Sequence, residues 1–335
     1  MKALLALLLA ASPAAVETGA PNKPGVYRRA AISADGLHLA VYLYVPERPL
    51  VGAPPVLLVP DLGTTHDIYD VAGEGLAREL ASRGLTVETF DWRGTGLSQL
   101  PDHDPTLDEL LAQDLPTAAA ALGEKSFVLL GWGYGGALAY AAAAGPLKAQ
   151  TRGVIALNSV VDADVPNPIV ERLFAGGDAL DLSRELASPA PQRRGSLFDL
   201  LWVHGATLDA SEVNAIEAHT LTPLSASQVS QLSAWMHTRT TMLGGKPYPD
   251  QLSELEAPVL ALLGMRDNWS HPEFANNIHD HAPKSHVEVH PLTTFEGYRE
   301  DPGHLGLVLG RTAREELVPL MVDFVRAQSA LEVKK

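Results

Sequence analysis

The chain has 335 residues, 46% of them hydrophobic and 19% charged, and it contains no Cys. Disulfides, thiolate metal sites and a cysteine nucleophile are thereby excluded, and the ordinary globular composition argues against wholesale disorder. A formal net charge of −15 and a pI near 5.2 weigh against nucleic acid or an anionic membrane surface as partner.

The first residues, MKALLALLLAASPAAVETGA, have the parts of an export signal. Lys2 supplies the positive start, residues 3–11 the apolar run, and Ser12-Pro13-Ala14 a small-residue cleavage region. The run is too short to span a bilayer. The expectation is a cleaved signal peptide over 1–20 and an exported mature protein, periplasmic or extracellular, with no stable membrane span.

Further along, VYRRAAIS and HLAVYLYVP flank Asp35-Gly36 and predict a hairpin. PPVLLVP reads as a buried strand. Apolar residues at helical spacing predict a helix over 68–83, ended by Gly84. The strand LTVETFDW, the loop RGTGLS and a helix over 106–122 follow. Then come the strand SFVLL, the turn GWGYGG with an alanine-rich helix, and the strand GVIALN.

From 160 to 255 strand-like runs vanish. Short amphipathic segments are broken by Pro166, Pro168, Pro189, Pro191 and Pro223, predicting a helical cap insertion. Alternation resumes with the strand PVLALLG, a capping-box helix start at Ser270-His271-Pro272-Glu273, the strand HVEVHPL and a closing helix over 305–328. The pattern predicts an α/β fold with a mostly parallel central sheet and helices on both faces. Its core is divided into 21–159 and 256–330 around the cap.

The turn from Gly131 to Gly136 fits two patterns. Gly131, Gly133 and Gly136 match the dinucleotide fingerprint G-x-G-x-x-G between a strand and a helix. Against it, the turn follows about the fifth strand instead of the first, Asn158 stands where a ribose-binding acid is needed, and Trp132 is bulky for a pyrophosphate loop. The second pattern is the nucleophile turn G-x-S-x-G, with Gly133 where the serine would be.

Five segments, the turn among them, favour the second pattern. PPVLLVPDLGTTHDIYD, FDWRGTGLS, GWGYGG, PVLALLGMRDNWSHPE and DPGHLGLVLG stand in register along the chain. In these segments the chain resembles the α/β-hydrolase fold over most of residues 25–328, nearest the lipase-like and polyhydroxyalkanoate-synthase-like branch of serine esterases. The resemblance implies that Asp267 is the triad acid and His304 the triad base. It implies an oxyanion hole from the backbone amides of Tyr134 and Leu62. Gly133 would mark the position of the missing nucleophile. It also implies no cofactor and no metal.

Gly133 has no side chain with which to attack. Asp61 stands beside Leu62 where this family usually has Gly, and an inward carboxylate there would repel an oxyanion. The expectation is therefore a non-catalytic protein of serine-esterase descent that binds a small apolar or ester-like ligand, or a partner. An alternative is an active hydrolase or lyase in which His304 and Asp267 activate a water at the vacant serine position. A dinucleotide-binding enzyme is the outsider.

Thr64, Thr65 and Ser159 are substitute hydroxyls, although loop hydroxyls more often make local turn bonds. His279, Asp280, His281, His286 and His290 form a histidine-rich stretch with metal-ligating residue types, against which stands a solvated helix-to-strand connection. Asp91 and Arg93 are expected to tie the loop beneath the turn. Phe198, Trp202 and Trp235 would either line an apolar pocket or pack the cap onto the sheet.

Overall fold

The computed structural model describes residues 23–329 except 72, 163–167, 187–195, 204–207, 209 and 239–240. The export-signal expectation over 1–20 lies outside the described residues, as do Pro166, Pro189 and Pro191. Eight strands hydrogen-bond into one sheet: β1 (Gly25–Ile32), β2 (His38–Val45), β3 (Val56–Val59), β4 (Val87–Phe90), β5 (Phe127–Trp132), β6 (Thr151–Leu157), β7 (Val259–Gly264) and β8 (Val287–Leu292). Their spatial order is β1-β2-β4-β3-β5-β6-β7-β8.

β1 pairs antiparallel with β2 across the Asp35-Gly36 turn, from Gly25↔Val45 to Ile32↔His38. β2 pairs antiparallel with β4, and every pairing from β4 to β8 is parallel. Position in the sheet explains composition. β3 and β5 are central and buried at every residue, so VLLV and FVLLGW show no alternation. Edge strand β1 alternates between exposed and half-buried residues.

The helices cross between parallel strands: α1 (Leu76–Ser82), α2 (Leu115–Leu122), α3 (Gly133–Ala144) and, closing the chain, α4 (Val318–Ser329). All twelve residues of α3 are buried. Its small side chains permit close contact: a Cβ on Gly131 would come within 2.5 Å of the Gly136 Cα, and one on Gly136 would strike Ser159. Two of the glycines that match a dinucleotide fingerprint, Gly131 and Gly136, are thus needed for close packing of α3 against β5 and the end of β6.

Three expected elements differ. The helix over 68–83 divides into a 3-10 turn, His66–Tyr69, capped by the Thr65 hydroxyl, and α1. Gly73 and Gly75 intervene at positive φ, and a Cβ on Gly75 would lie 2.8 Å from the Tyr69 carbonyl carbon. The closing helix over 305–328 is broken at Gly310, which has a φ of +82°, and widens into a π-turn at Ala313–Leu317. Pro319 accounts for the widening, because its ring displaces the i−4 carbonyl. Pro116 stands in the same relation to the π-turn Leu110–Asp114.

Between β6 and β7 the described residues form helices Pro168–Phe174, Leu182–Glu185, Ala210–His219, Ala226–Thr238 and Tyr248–Leu252. Two ribbons of two-residue strands, which the sequence did not announce, join them: Leu180–Asp181 with Pro223–Leu224, and Met242–Leu243 with Lys246–Pro247. This segment brings Phe174, Trp202 and Trp235 against Tyr134 and Trp269, above the C-terminal ends of the parallel strands. No helix among the described residues is long and apolar enough to cross a membrane.

Candidate active site

β5 runs extended to Trp132, and the chain reverses at Gly133 with a φ of +57° before entering α3. A residue with a Cβ in this left-handed region is disfavoured by roughly 1–2 kcal/mol. The reversal aims the first amides of α3 back over the end of the sheet. The loop after β3 approaches from the neighbouring strand and brings Asp61 and the Leu62 amide to the same point.

The Asp61 carboxylate fills that point. Its Oδ1 accepts from the backbone amides of Leu62 at 2.8 Å, Tyr134 at 2.7 Å and Gly135 at 3.1 Å. Its Oδ2 accepts from the Trp269 indole at 3.0 Å and from His304 Nε2 at 3.1 Å. A Cβ on Gly133 would lie 2.5 Å from Asp61 Cγ. Instead of repelling a ligand's oxyanion from an open pair of amides, Asp61 occupies the amides itself.

His304 Nδ1 lies 2.8 Å from Asp267 Oδ2. Asp267 is held by five donors. Its Oδ1 accepts from the amides of Trp269 at 2.8 Å and Ser270 at 2.9 Å. Its Oδ2 accepts from His304, from Asn158 Nδ2 at 3.0 Å and from the Ser270 hydroxyl at 3.0 Å. Asn158, at a φ of +39°, also receives the Gly264 amide at 2.7 Å, joining the ends of β6 and β7. The His304 ring stacks on Trp132, with centroids 4.1 Å apart, and meets the edge of Trp202 at 5.0 Å.

Asp61, Asp267 and His304 are fully buried. Burial alone would depress the His304 pKa. The charge of Asp267 and hydrogen bonds to Asp267 and Asp61 more than offset it, pushing the value up to about 9. The geometry fits the same state. Both ring nitrogens face carboxylate oxygens, 2.8 and 3.1 Å away, which are acceptors for two ring N–H groups. The centre is an Asp61–imidazolium–Asp267 relay, in which His304 has no lone pair free to take a proton. The water expected beside His304 has no place there, because Asp61 Oδ2 stands at Nε2.

The substitute hydroxyls make local bonds. Thr64 donates to the Asp61 carbonyl at 2.8 Å, Thr65 caps the 3-10 turn by accepting from Asp67, and Ser159 donates to the Gly131 carbonyl at 3.1 Å. Ser270 does not begin a capping box. His271 is the N-cap of Pro272–Asn276, while the Ser270 hydroxyl is drawn inward to Asp267. Asp91 accepts from Tyr42 and from the amides of His66 and Leu97, and Arg93 pairs with Asp114, Asp35 and Glu109; both tie loops together.

His286 and His290 pair only loosely with Glu288, at 3.3 and 4.0 Å. Among the described residues no group of three or more His, Cys, Asp or Glu is placed to hold a metal. The α3 amides that a phosphate would need are those bound to Asp61. Phe198, Trp202 and Trp235 are buried in the contact between the insertion and the sheet.

Asn158, Trp269 and Ser270 were not anticipated as members of the site. Their signal was adjacency: Asn158 directly follows β6, and Trp269 and Ser270 lie two and three residues after the loop acid Asp267.

Comparison with known proteins agrees with this architecture. Residues 56–319 match the model of the alpha/beta hydrolase family. A thermophilic esterase from Thermogutta terrifontis superposes with a TM-score of 0.62 at 21% identity, covering 90% of this chain and 99% of that one. A proline iminopeptidase from Mycobacterium smegmatis gives 0.62 at 18% identity, with coverage of 91% and 100%. An esterase from Exiguobacterium antarcticum gives 0.58 at 16%, with coverage of 89% and 98%. At such identities the likeness speaks for the fold alone. No curated protein sequence matches the chain significantly.

Proposed function

The chain belongs to the alpha/beta hydrolase family, and from that premise we propose that it is an exported member of serine-esterase descent that no longer performs serine-esterase chemistry. In this reading Gly133 stands at the former nucleophile position, Tyr134 and Leu62 supply the former oxyanion amides, and His304 with Asp267 is the former base and acid. One observation carries the reading: a single side chain, Asp61, binds both amides through one oxygen and His304 through the other.

An acyl-serine route needs a hydroxyl, a neutral histidine and two empty amides. Here the hydroxyl is gone, the histidine is held as a cation and the amides are taken. The protein would thus act by binding a small apolar or ester-like ligand, or a partner, without ester turnover. The aromatic surround of Tyr134, Phe174, Trp202 and Trp269 supports an apolar ligand.

The test is incubation with p-nitrophenyl esters and a fluorophosphonate probe. Background ester hydrolysis and no covalent label are expected. Labelling, or turnover abolished by His304→Ala, would overturn the reading.

A further inference from the structure

We infer that the outer edge of β1 is a docking strip for an extended segment of a partner protein, one in which acidic and apolar residues alternate, added to the sheet as a further strand. This surface is separate from the buried centre: β2 and β4 lie between β1 and β3, whose following loop carries Asp61.

The strand register shows which backbone groups are free. The Ser33 amide donates to the Leu37 carbonyl at 2.9 Å, and one-to-one pairing runs on from Ile32↔His38 to Gly25↔Val45. Antiparallel pairs alternate, so the odd-numbered residues of β1 turn their N–H and C=O groups to β2. The Ala40 carbonyl, which takes the Asp91 amide on the far side of β2, obeys the same alternation. Val26, Arg28, Ala30 and Ile32 are left with outward backbone groups, and among the described residues no strand pairs with them. All four are exposed, Ile32 at 64%. An open edge of this length is a template for another strand.

Two features select the occupant. On the face that carries Arg29 and Ala31, a groove of about 420 Å³ runs between β1 and α2. Its walls are small and apolar, with Ala31, Ile32 and Ala34 opposite Ala112, Pro116 and Ala120. A strand added to β1 would lay every second side chain into this groove. Gln113 Oε1, in the same wall, is buried without a hydrogen-bond partner among the described residues and offers an acceptor to an incoming donor.

The opposite face carries Arg28. Arg29 is engaged inward, donating to Glu88 at 2.5 Å and to the Ala121 carbonyl at 2.9 Å. Arg28 is exposed and forms no ion pair among the described residues, although the chain holds 40 acidic residues against 25 Lys and Arg. An acidic residue directly across from Arg28 makes a favourable cross-strand pair. The same charges weigh against a second copy of this chain. Two antiparallel registers pair nearly all of β1 with itself; one sets Arg28 against Arg28, the other Arg29 against Arg29.

The test titrates purified protein into fluorescein-labelled Val-Glu-Val-Glu-Val-Glu-Val, read by fluorescence anisotropy, beside the same peptide with Lys in place of Glu. Saturable binding of the acidic peptide is expected, with the Lys peptide at least roughly tenfold weaker. Arg28→Glu reverses the edge charge, and Ala30→Pro removes one outward N–H but no bond to β2; each should weaken binding by roughly tenfold. Ala120→Glu, at an exposed position, sets a charge in the groove and should do the same. Urea midpoints close to wild type establish that these variants fold. Absence of saturable binding, equal binding of the two peptides, or undiminished binding by Arg28→Glu would overturn the inference. So would a concentration-dependent dimer of the protein alone, seen by sedimentation and dissolved by Ala30→Pro, because a second copy would then hold the edge. None of these outcomes bears on the loss of serine chemistry, which fluorophosphonate labelling tests independently.

Discussion

Gly133 and Asp61 exclude each other's alternatives: the space a Cβ on residue 133 would need is held by the Asp61 carboxylate, with Cγ only 2.5 Å away. Restoring a serine is therefore not a single change. Gly133→Ser alone should overpack a buried centre, at about 1–3 kcal/mol, and place a side chain at positive φ, at roughly 1–2 kcal/mol more. A fall in the urea midpoint without fluorophosphonate labelling is expected. Labelling should appear only in Asp61→Gly combined with Gly133→Ser, which clears the hole and supplies the hydroxyl together.

Removing Asp61 alone should be costly for another reason. Asp61→Ala leaves three amides, an indole and an imidazolium without their shared acceptor. Breaking a buried pair from one side costs about 3–5 kcal/mol. Asp61→Asn keeps an acceptor for the amides and should lose less. Urea denaturation of the two variants beside wild type checks the order.

The pH dependence of stability follows from His304. Its folded pKa of about 9 lies above its ordinary value, so the folded state holds the proton more tightly than the unfolded chain. The resulting stability is fully present below about pH 6.5 and is lost as pH rises through about 9. Its size is on the order of 3 kcal/mol at about 1.4 kcal/mol per pKa unit. Urea midpoints from pH 6 to pH 10 should fall across that window in wild type, and His304→Gln should flatten this component.

Asn158 matters through Asp267. Asn158→Ala removes one donor from Asp267 Oδ2 and leaves the Gly264 amide without its acceptor. A loss of about 1–3 kcal/mol is expected, together with a shift in the His304 titration. Asn158→Asp should be worse, because it sets a second carboxylate against Asp267 within a buried cluster.

The sheet was legible because its signals are local. An apolar run between Pro54 and Pro60, a turn at Asp35-Gly36 and glycines between β5 and α3 each restrict the backbone within a few residues. The helix ends were less so. The π-turns before Pro116 and Pro319 and the break at Gly75 depend on how a few residues choose between near-equal turns. Within the site, motif order pointed to Gly133, Tyr134, Leu62, Asp267 and His304, and the structure brings all five together. The role of Asp61 was missed because it depends on direction. Sequence marked a carboxylate where glycine is usual in the family, but not that its two oxygens would bridge amides on one side and His304 on the other. Trp269 and Ser270 reach the centre through the fold of one short loop, which spacing alone does not show.

The most direct measurement is a long-range ¹H–¹⁵N NMR titration of the histidine side chains, with His304 assigned by comparison with His304→Gln. At pH 7 both nitrogens of His304 should carry protons, with deprotonation near pH 9 and an earlier midpoint in Asp61→Asn. A neutral His304 at pH 7 with one unprotonated nitrogen would contradict the account, because a histidine clasped between Asp61 and Asp267 cannot remain in that state.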